Sequence, residues 1–136
     1  MTTSNITVVI SCDIYKVWET ISTIENYHTW RSDVSKTDVI NEKQFIEYTK
    51  DGYATTVAVI VSEPCRQWAF EMENSHVKGQ WTCLLAAKGG ETEINVTTCV
   101  SAKNLFTRPV GQSVFEREYL NKEQTRLVAD LKKVLS

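Results

Sequence analysis

Hydrophobic and polar positions along the chain fall into blocks of different period, and each block predicts a different element. Residues 6–11 (ITVVIS) form a short run rich in β-branched side chains, which is typical of a strand. The next block has a helical period, because Val17, Ile21 and Ile24 share one face. Strand-like runs follow, and residues 110–135 return to the helical period. This order predicts an α+β domain in which a helix covers one face of an antiparallel sheet.

Turn signals divide the central region into strands and suggest how those strands pair. The signals are KDGY at 50–53, SEPC at 62–65, ENSH at 73–76 and KGGE at 88–91. Symmetric pairing across each turn sets Trp68 opposite Trp81 and collects the apolar residues on one face of the sheet. The apolar face comprises Ile46, Tyr48, Val57, Val59, Trp68, Phe70, Met72, Trp81, Cys83, Leu85, Ile94, Val96 and Val100. The polar face comprises Glu47, Thr56, Gln67, Glu71, Lys78, Gln80, Thr82, Asn95, Thr97 and Ser101.

The C-terminal helix supplies a stripe that could cover the apolar face. The stripe consists of Val110, Leu120, Leu127, Val128, Leu131 and Leu135. Ser113, Arg117 and Gln124 interrupt it in its first half, and burying such groups without partners costs a few kcal/mol each. Two interpretations stay open: this half lines a wet or ligand-filled space, or its long side chains reach past the edge of the sheet to water.

Length and charge limit the classes of function. The 136 residues fit a single domain, 1–136, large enough to fold without a disulfide or a metal. A net charge of −2 with both signs interspersed gives no electrostatic case for binding nucleic acid or an anionic membrane. The N-terminal residues lack signal-peptide character, and no apolar run is long enough to span a membrane. We therefore expect a cytoplasmic protein, either a monomer or a homodimer.

The cysteines and histidines predict neither a metal site nor a redox motif. No two cysteines lie within four residues, so no zinc or CxxC spacing occurs. The chain has only two histidines, His28 and His76. We expect reduced thiols, no metal and no cofactor. The cysteines are Cys12, Cys65, Cys83 and Cys99.

The first third of the chain carries a family resemblance. The stretch ITVVISCDIYKVWETISTIENYHTWRSDV resembles the opening of the Bet v 1-like, START-related (SRPBCC) superfamily, which includes polyketide cyclases and lipid-transport proteins. The resemblance lies in the pair Val17-Trp18 and the aromatic loop 26–30, whereas Cys12-Asp13 replaces the usual small-Pro step. It implies a helix-grip fold: a curved antiparallel sheet of about seven strands around a long C-terminal helix, with two short helices after the first strand.

The resemblance also implies a pocket between sheet and helix for an apolar small molecule such as a lipid, polyketide or aromatic metabolite. Trp68 and Trp81 would form a stacking wall for a flat ligand, and the alternative is that the aromatic residues simply fill the core. His28, near the expected mouth, and Arg117 are candidate catalytic residues, although a lone exposed histidine is usually inert. The candidate ligand-binding residues are Tyr27, Tyr48, Thr55, Trp68, Phe70, Trp81, Thr98, Arg117, Leu120 and Gln124.

Three functions remain open at this point. The first is binding of an apolar small molecule, which needs an enclosed apolar cavity of about 300–1,000 Å³. The second is an aromatase/cyclase or dehydratase acting on a polyketide-like substrate, which also needs convergent polar and titratable groups in the cavity. The third is a co-chaperone-like interaction module, which predicts a filled core and an exposed apolar patch elsewhere.

Overall fold

The computed structural model describes residues 1–103 and 109–135, without the side chains of residues 109 and 110, so the predicted position of Val110 in the stripe lies outside the described residues. The elements are β1 (Thr2–Ile10), α1 (Ile14–Ser22), a 3-10 turn (Ile24–Asn26), α2 (Tyr27–Trp30), β2 (Val34–Val39), β3 (Gln44–Thr49), β4 (Ala54–Glu63), β5 (Gln67–Glu73), β6 (Val77–Lys88), β7 (Glu91–Ala102) and α3 (Pro109–Leu135). One antiparallel sheet has the order β1-β7-β6-β5-β4-β3-β2. The α+β helix-grip prediction is confirmed, including seven strands and two short helices after β1.

The core lies between the sheet and two helices. Asp13 caps α1 by accepting a hydrogen bond from the Lys16 backbone N–H at 3.1 Å, and the helix then buries Val17 and Ile21 against the sheet. The C-terminal half of α3 covers the same face with the predicted stripe. Its buried members are Leu120, Leu127, Leu131 and Leu135. The apolar face of each element is therefore buried by another element, which makes the sheet dry on one side only.

The predicted strand pairing is confirmed for one hairpin and shifted in the others. The β6–β7 register is as predicted, with Trp81 opposite Thr98 and Cys83 opposite Val96. In β5–β6 the prediction is wrong by two residues, since Trp81 lies opposite Phe70 instead of Trp68. The β4–β5 hairpin is also shifted by two before an irregularity between Val59 and Val61. A shift of two keeps each side chain on its face, so the inner face of β5 to β7 survives the error.

The β3–β4 register differs from the prediction by one residue, and this reverses β3. Phe45 lies opposite Val57, so Phe45 and Glu47 are buried, while Tyr48 faces outward beneath Lys36 Nζ at 4.7 Å from the ring centroid. The cause is the loop from Thr49 to Tyr53, where Thr49 N–H bonds the Tyr53 carbonyl at 2.9 Å. This loop is one residue longer than symmetric pairing assumed. Ile46 and Tyr48 were thus predicted on the wrong face, and so was Glu47.

Gly79 lies in β6 where the neighbouring strand approaches too closely for a side chain. A methyl group on its Cα would lie 2.3 Å from the Cys99 carbonyl oxygen of β7. We expect Gly79→Ala to lower the free energy of unfolding by about 1–3 kcal/mol, because a backbone must move. Denaturant unfolding measures this, with Gly90→Ala as control because nothing lies within 4 Å of its added methyl. Equal midpoints for the two variants would contradict the close approach.

Glu116 anchors the first half of α3 to the sheet. Its carboxylate is 4% exposed and accepts hydrogen bonds from the Ala102 backbone N–H at 2.7 Å and the Thr2 hydroxyl at 2.6 Å. Burial alone would raise the pKa of Glu116, but these hydrogen bonds hold it below its ordinary value of 4.5. The carboxylate therefore joins β1, β7 and α3 in its charged form.

We expect Glu116→Gln to lower the free energy of unfolding by about 1–2 kcal/mol at neutral pH. Because the folded pKa lies below the unfolded one, the charged form stabilises the fold above pH 4.5, and this contribution disappears as pH falls through the folded pKa. The difference between wild type and Glu116→Gln should therefore narrow below about pH 4. Urea unfolding at several pH values measures it, with the exposed Glu118→Gln as control. A constant difference down to low pH would refute the role given to the carboxylate.

Candidate functional site

A cavity of about 650 Å³ lies between the inner face of the sheet and α3 and is partly open to solvent. Most of its lining surface is apolar. The sheet contributes the floor, the loop after α2 contributes one end, and α3 contributes the cover. The apolar and aromatic lining residues are Ile21, Tyr27, Trp30, Tyr53, Phe70, Met72, Trp81, Cys83, Val96, Phe115, Tyr119, Leu127 and Leu131.

Phe70 and Trp81 form an aromatic pair on the cavity floor. Their rings are stacked, with centroids 5.0 Å apart and an angle of 15° between planes, because the two residues oppose each other in β5 and β6. Cys83, next on the same face, is buried, and burial raises the pKa of its thiol to about 12. The thiol therefore stays protonated at neutral pH and acts as a small apolar group.

Trp68 is not part of the cavity lining. It is 5% exposed and packs edge-to-face against Trp18 of α1, with ring centroids 5.8 Å apart. The prediction that Trp68 and Trp81 together form a stacking wall is therefore wrong for Trp68, whereas Trp81 does line the cavity. For Trp68 the alternative interpretation, core filling, is the one that the structure supports.

Arg31, directly after α2, is held between carboxylates at one end of the cavity. Its guanidinium donates to Glu47 and, at 3.1 Å, to Asp33, and it lies 5.3 Å from the centroid of the Tyr27 ring. Burial alone would lower the pKa of Arg31, but Glu47 and Asp33 raise it above its ordinary value. Glu47 reaches this place only because of the β3 register described above. The result is a nearly buried ion pair beside the apolar floor.

Arg126 extends the ion pair into α3. It donates to Asp33 and to Glu123, both at 2.5 Å, and lies 3.8 Å from Asp130. Asp130 in turn accepts two hydrogen bonds from Ser32, one from its backbone N–H at 2.9 Å and one from its side-chain hydroxyl at 3.1 Å. These contacts fasten the loop between α2 and β2 to the C-terminal helix. We call Arg31, Asp33, Glu47, Glu123, Arg126 and Asp130 the charged cluster.

Uncharged polar groups also reach the cavity. Thr55 and Thr98 line it from β4 and β7, and the Thr55 hydroxyl accepts a hydrogen bond from Asn74 at 3.3 Å. Gln124 and Tyr119 line it from α3. Burial raises the pKa of Tyr119, so its hydroxyl keeps its proton at neutral pH and can donate to a ligand oxygen.

Exposed lining residues mark the mouth of the cavity. Tyr53 and His76 stack there with ring centroids 4.8 Å apart, and Phe115 stacks on Tyr119 at 6.4 Å. Phe115 and Tyr119 fall outside the leucine stripe of α3 and were therefore not among the predicted ligand-binding residues. The sequence signal that could have identified them is that two aromatic residues lie beside the apolar stripe of the helix. The charged residues at the mouth are Lys50, Asp51 and Lys122.

The structure brings together six of the candidate ligand-binding residues. Those lining the cavity are Tyr27, Thr55, Phe70, Trp81, Thr98 and Gln124. Leu120 is buried on α3 away from the lining, and Tyr48 lies on the outer face. Arg117 is exposed and donates to Ser113 one helical turn earlier, so the expectation that it points inward is wrong. His28 is also exposed. The binding or catalytic role of each candidate residue stays a prediction.

The described part of the chain contains neither a cluster of metal-ligating side chains nor a membrane-spanning helix. Across residues 1–103 and 109–135 no group of three or more His, Cys, Asp or Glu side chains could hold a metal ion. None of the helices in these two ranges is both long and apolar enough to cross a membrane. The four cysteines are free thiols.

Comparison with known proteins agrees with the geometry of the cavity. The profile of the family described as polyketide cyclase / dehydrase and lipid transport matches residues 1–136. The chain belongs to this family. The family resemblance found in the sequence is therefore confirmed over its whole length. No curated protein matches the sequence.

Solved structures of other proteins share the fold at low sequence identity. A START superfamily protein from Mycobacterium smegmatis has a TM-score of 0.83 at 14% identity, over 98% of this chain and 96% of that chain. A conserved protein from Geobacillus kaustophilus has a TM-score of 0.83 at 9% identity, over 98% and 95%. The Zhui aromatase/cyclase from a Streptomyces species has a TM-score of 0.79 at 16% identity, over 98% and 91%. Such similarity shows the helix-grip fold alone.

Proposed function

We propose that the protein binds a flat, apolar small molecule in the cavity between the sheet and α3. The observation that carries this proposal is a cavity of about 650 Å³ whose floor is the stacked pair Phe70 and Trp81. Cavities that bind small molecules have this size and combine an apolar lining with a few polar groups. The family's link to lipid transport supports the same class of ligand. An interaction module with a filled core has less support, because the space between sheet and helix is open.

Native mass spectrometry of freshly purified protein tests the proposal. We expect extra mass that disappears after denaturation, because an apolar ligand held in a desolvated cavity dissociates slowly. A ligand lost during purification is covered by a second arm, in which 2-naphthol is added and tryptophan fluorescence and calorimetry follow binding. A bare polypeptide mass together with no 2-naphthol binding would refute the proposal.

A second candidate function is an aromatase/cyclase acting on a polyketide-like substrate. It is favoured by the polar groups that line the cavity, above all the protonated hydroxyl of Tyr119, together with Thr98 and Gln124. A hydroxyl that donates to a ketone oxygen stabilises the negative charge on that oxygen, either in the enolate that attacks or in the alkoxide that forms as the new carbon–carbon bond closes. The similarity to an aromatase/cyclase structure supports this candidate at the level of fold only.

Turnover of a poly-β-ketone thioester distinguishes the two functions. A cyclase closes a ring and then loses water, so product mass spectrometry should find species lighter than the substrate by water. Tyr119→Phe should slow that step by about 10²–10³-fold and leave 2-naphthol binding within about twofold. Binding without any loss of water leaves the first function and excludes the second for that substrate.

A further inference from the structure

We infer that the ligand carries a hydrogen-bond donor, such as a hydroxyl, phenol or amine, at the end that meets the charged cluster, and not a carboxylate or phosphate. The inference rests on the proposed binding function and specifies its ligand. It follows from how the two arginines beside the cavity are already occupied. An arginine next to an apolar cavity is ordinarily expected to receive an anionic head group.

Each of the two guanidinium groups already donates to two carboxylates of the protein, one from each η nitrogen. One η nitrogen of Arg31 donates to Glu47 and the other to Asp33. One η nitrogen of Arg126 donates to Asp33 and the other to Glu123. The Nε atoms of both arginines have no hydrogen-bond partner, but they are buried below the solvent-accessible surface, so a ligand in the cavity does not reach them. An anionic head group would have either to displace a paired carboxylate or to use a second η N–H and lie directly beside these carboxylates.

The charge balance of the cluster also disfavours an anion. Two guanidinium groups face four carboxylates, so the cluster carries an excess of negative charge. Its arginines and its inner carboxylates are mostly buried, and Glu47 has 10% of its side chain exposed, so a nearby anion would be weakly screened. The lysines of the mouth, Lys50 and Lys122, are exposed and contribute little attraction through water.

The same carboxylates suit a ligand that donates. Each carboxylate oxygen accepts more than one hydrogen bond, so Glu47 and Asp33 can receive a ligand O–H or N–H without giving up Arg31. A hydrogen bond to a charged acceptor is worth more than one between neutral groups, and the low exposure of the site strengthens it further. A flat body on Phe70 and Trp81 with a donor toward the cluster therefore satisfies both ends of the cavity.

Two probes with the same body and different head groups test the inference. At neutral pH 2-naphthol is an uncharged donor, whereas 2-naphthoate is an anion. We expect calorimetry to give a dissociation constant at least about tenfold lower for 2-naphthol. Asp33→Asn removes the carboxylate shared by both arginines and frees an η nitrogen on each, so it should reduce that preference about tenfold. Asp38→Asn makes the same change on the exposed edge strand β2 and should leave the preference unchanged.

The outcomes separate this inference from the function on which it rests. Equal binding of the two probes overturns the inference and leaves a ligand site without a preference for the charge of the head group, and tighter binding of 2-naphthoate overturns it in favour of an anionic ligand. Failure of both probes to bind also overturns the inference, and together with a bare polypeptide mass it overturns the proposed function as well. Glu123→Gln is the second variant if Asp33→Asn fails to fold. Its side chain is 35% exposed and it should shift the preference in the same direction by a smaller factor.

Discussion

Replacing Arg31 with methionine should lower the free energy of unfolding by about 3 kcal/mol, the largest loss that we expect from any single substitution in the charged cluster. The substitution leaves the Glu47 carboxylate buried without its cationic partner, since the Arg31 guanidinium is the group that neutralises it. An uncompensated buried carboxylate must pick up a proton, recruit water or unfold its surroundings, and each of these is costly. Methionine keeps much of the aliphatic volume, so the loss reports charge more than packing.

A double-mutant cycle isolates the pair. Glu47→Gln alone should cost about 1 kcal/mol, because Arg31 keeps its contact with Asp33. The variant carrying both substitutions should be more stable than Arg31→Met, since no isolated charge remains. Urea unfolding at neutral pH measures all four proteins. Arg66→Met is the control, because that arginine pairs with Glu63 at 3.5 Å with 79% of its side chain exposed and should cost less than about 0.5 kcal/mol. Equal losses for Arg31→Met and Arg66→Met would contradict the cluster.

The sequence predicts the architecture well because the apolar pattern of β5, β6 and β7 is unambiguous. The KGGE turn fixed the β6–β7 register, and Gly89 there adopts the positive φ of 65° that such a turn requires. The pattern of β3 is different, because Phe45 and Ile46 are adjacent and apolar, so either could face the core. The length of the loop from Thr49 to Tyr53 determines which of the two is buried. A loop of these five residues has no sequence signature as strong as that of a two-residue turn.

The charged cluster could not be predicted from local sequence. Symmetric pairing about the KDGY turn placed Glu47 on the polar face. Its burial depends on Arg31, 16 residues earlier, and Asp33 depends equally on Arg126, 93 residues later. A buried charge is stable only with its partner, and partners from three separate elements leave no periodic signal. A missing partner also explains the error at Arg117. The helical period places Arg117 on the buried stripe, but the neighbouring Glu116 is the residue that bonds to the sheet, through the Ala102 backbone N–H, while Arg117 bonds to Ser113 on its own helix.

The second large effect concerns the cavity itself. Thr98→Trp should weaken binding of 2-naphthol at least about 100-fold, because its indole would occupy the space beside Phe70 and Trp81 that we propose for the ligand. Thr98 is 5% exposed and opposite Trp81 in β7, so its new side chain must enter the cavity. The free energy of unfolding should stay the same or rise, since the indole fills empty volume instead of displacing packed atoms.

A matched variant on the other side of the sheet completes this test. Thr82→Trp places the same side chain on the outer face of β6, next to Thr97, and should leave 2-naphthol binding within about twofold. Calorimetric titration gives both dissociation constants, and urea unfolding shows whether each variant is folded. If Thr98→Trp is folded and binds 2-naphthol as tightly as Thr82→Trp does, the ligand lies elsewhere and the cavity is not its site. If only Thr98→Trp loses binding, the ligand lies in the space between Phe70, Trp81 and α3. The charged cluster at one end of that space is then the feature that we expect to determine ligand selectivity.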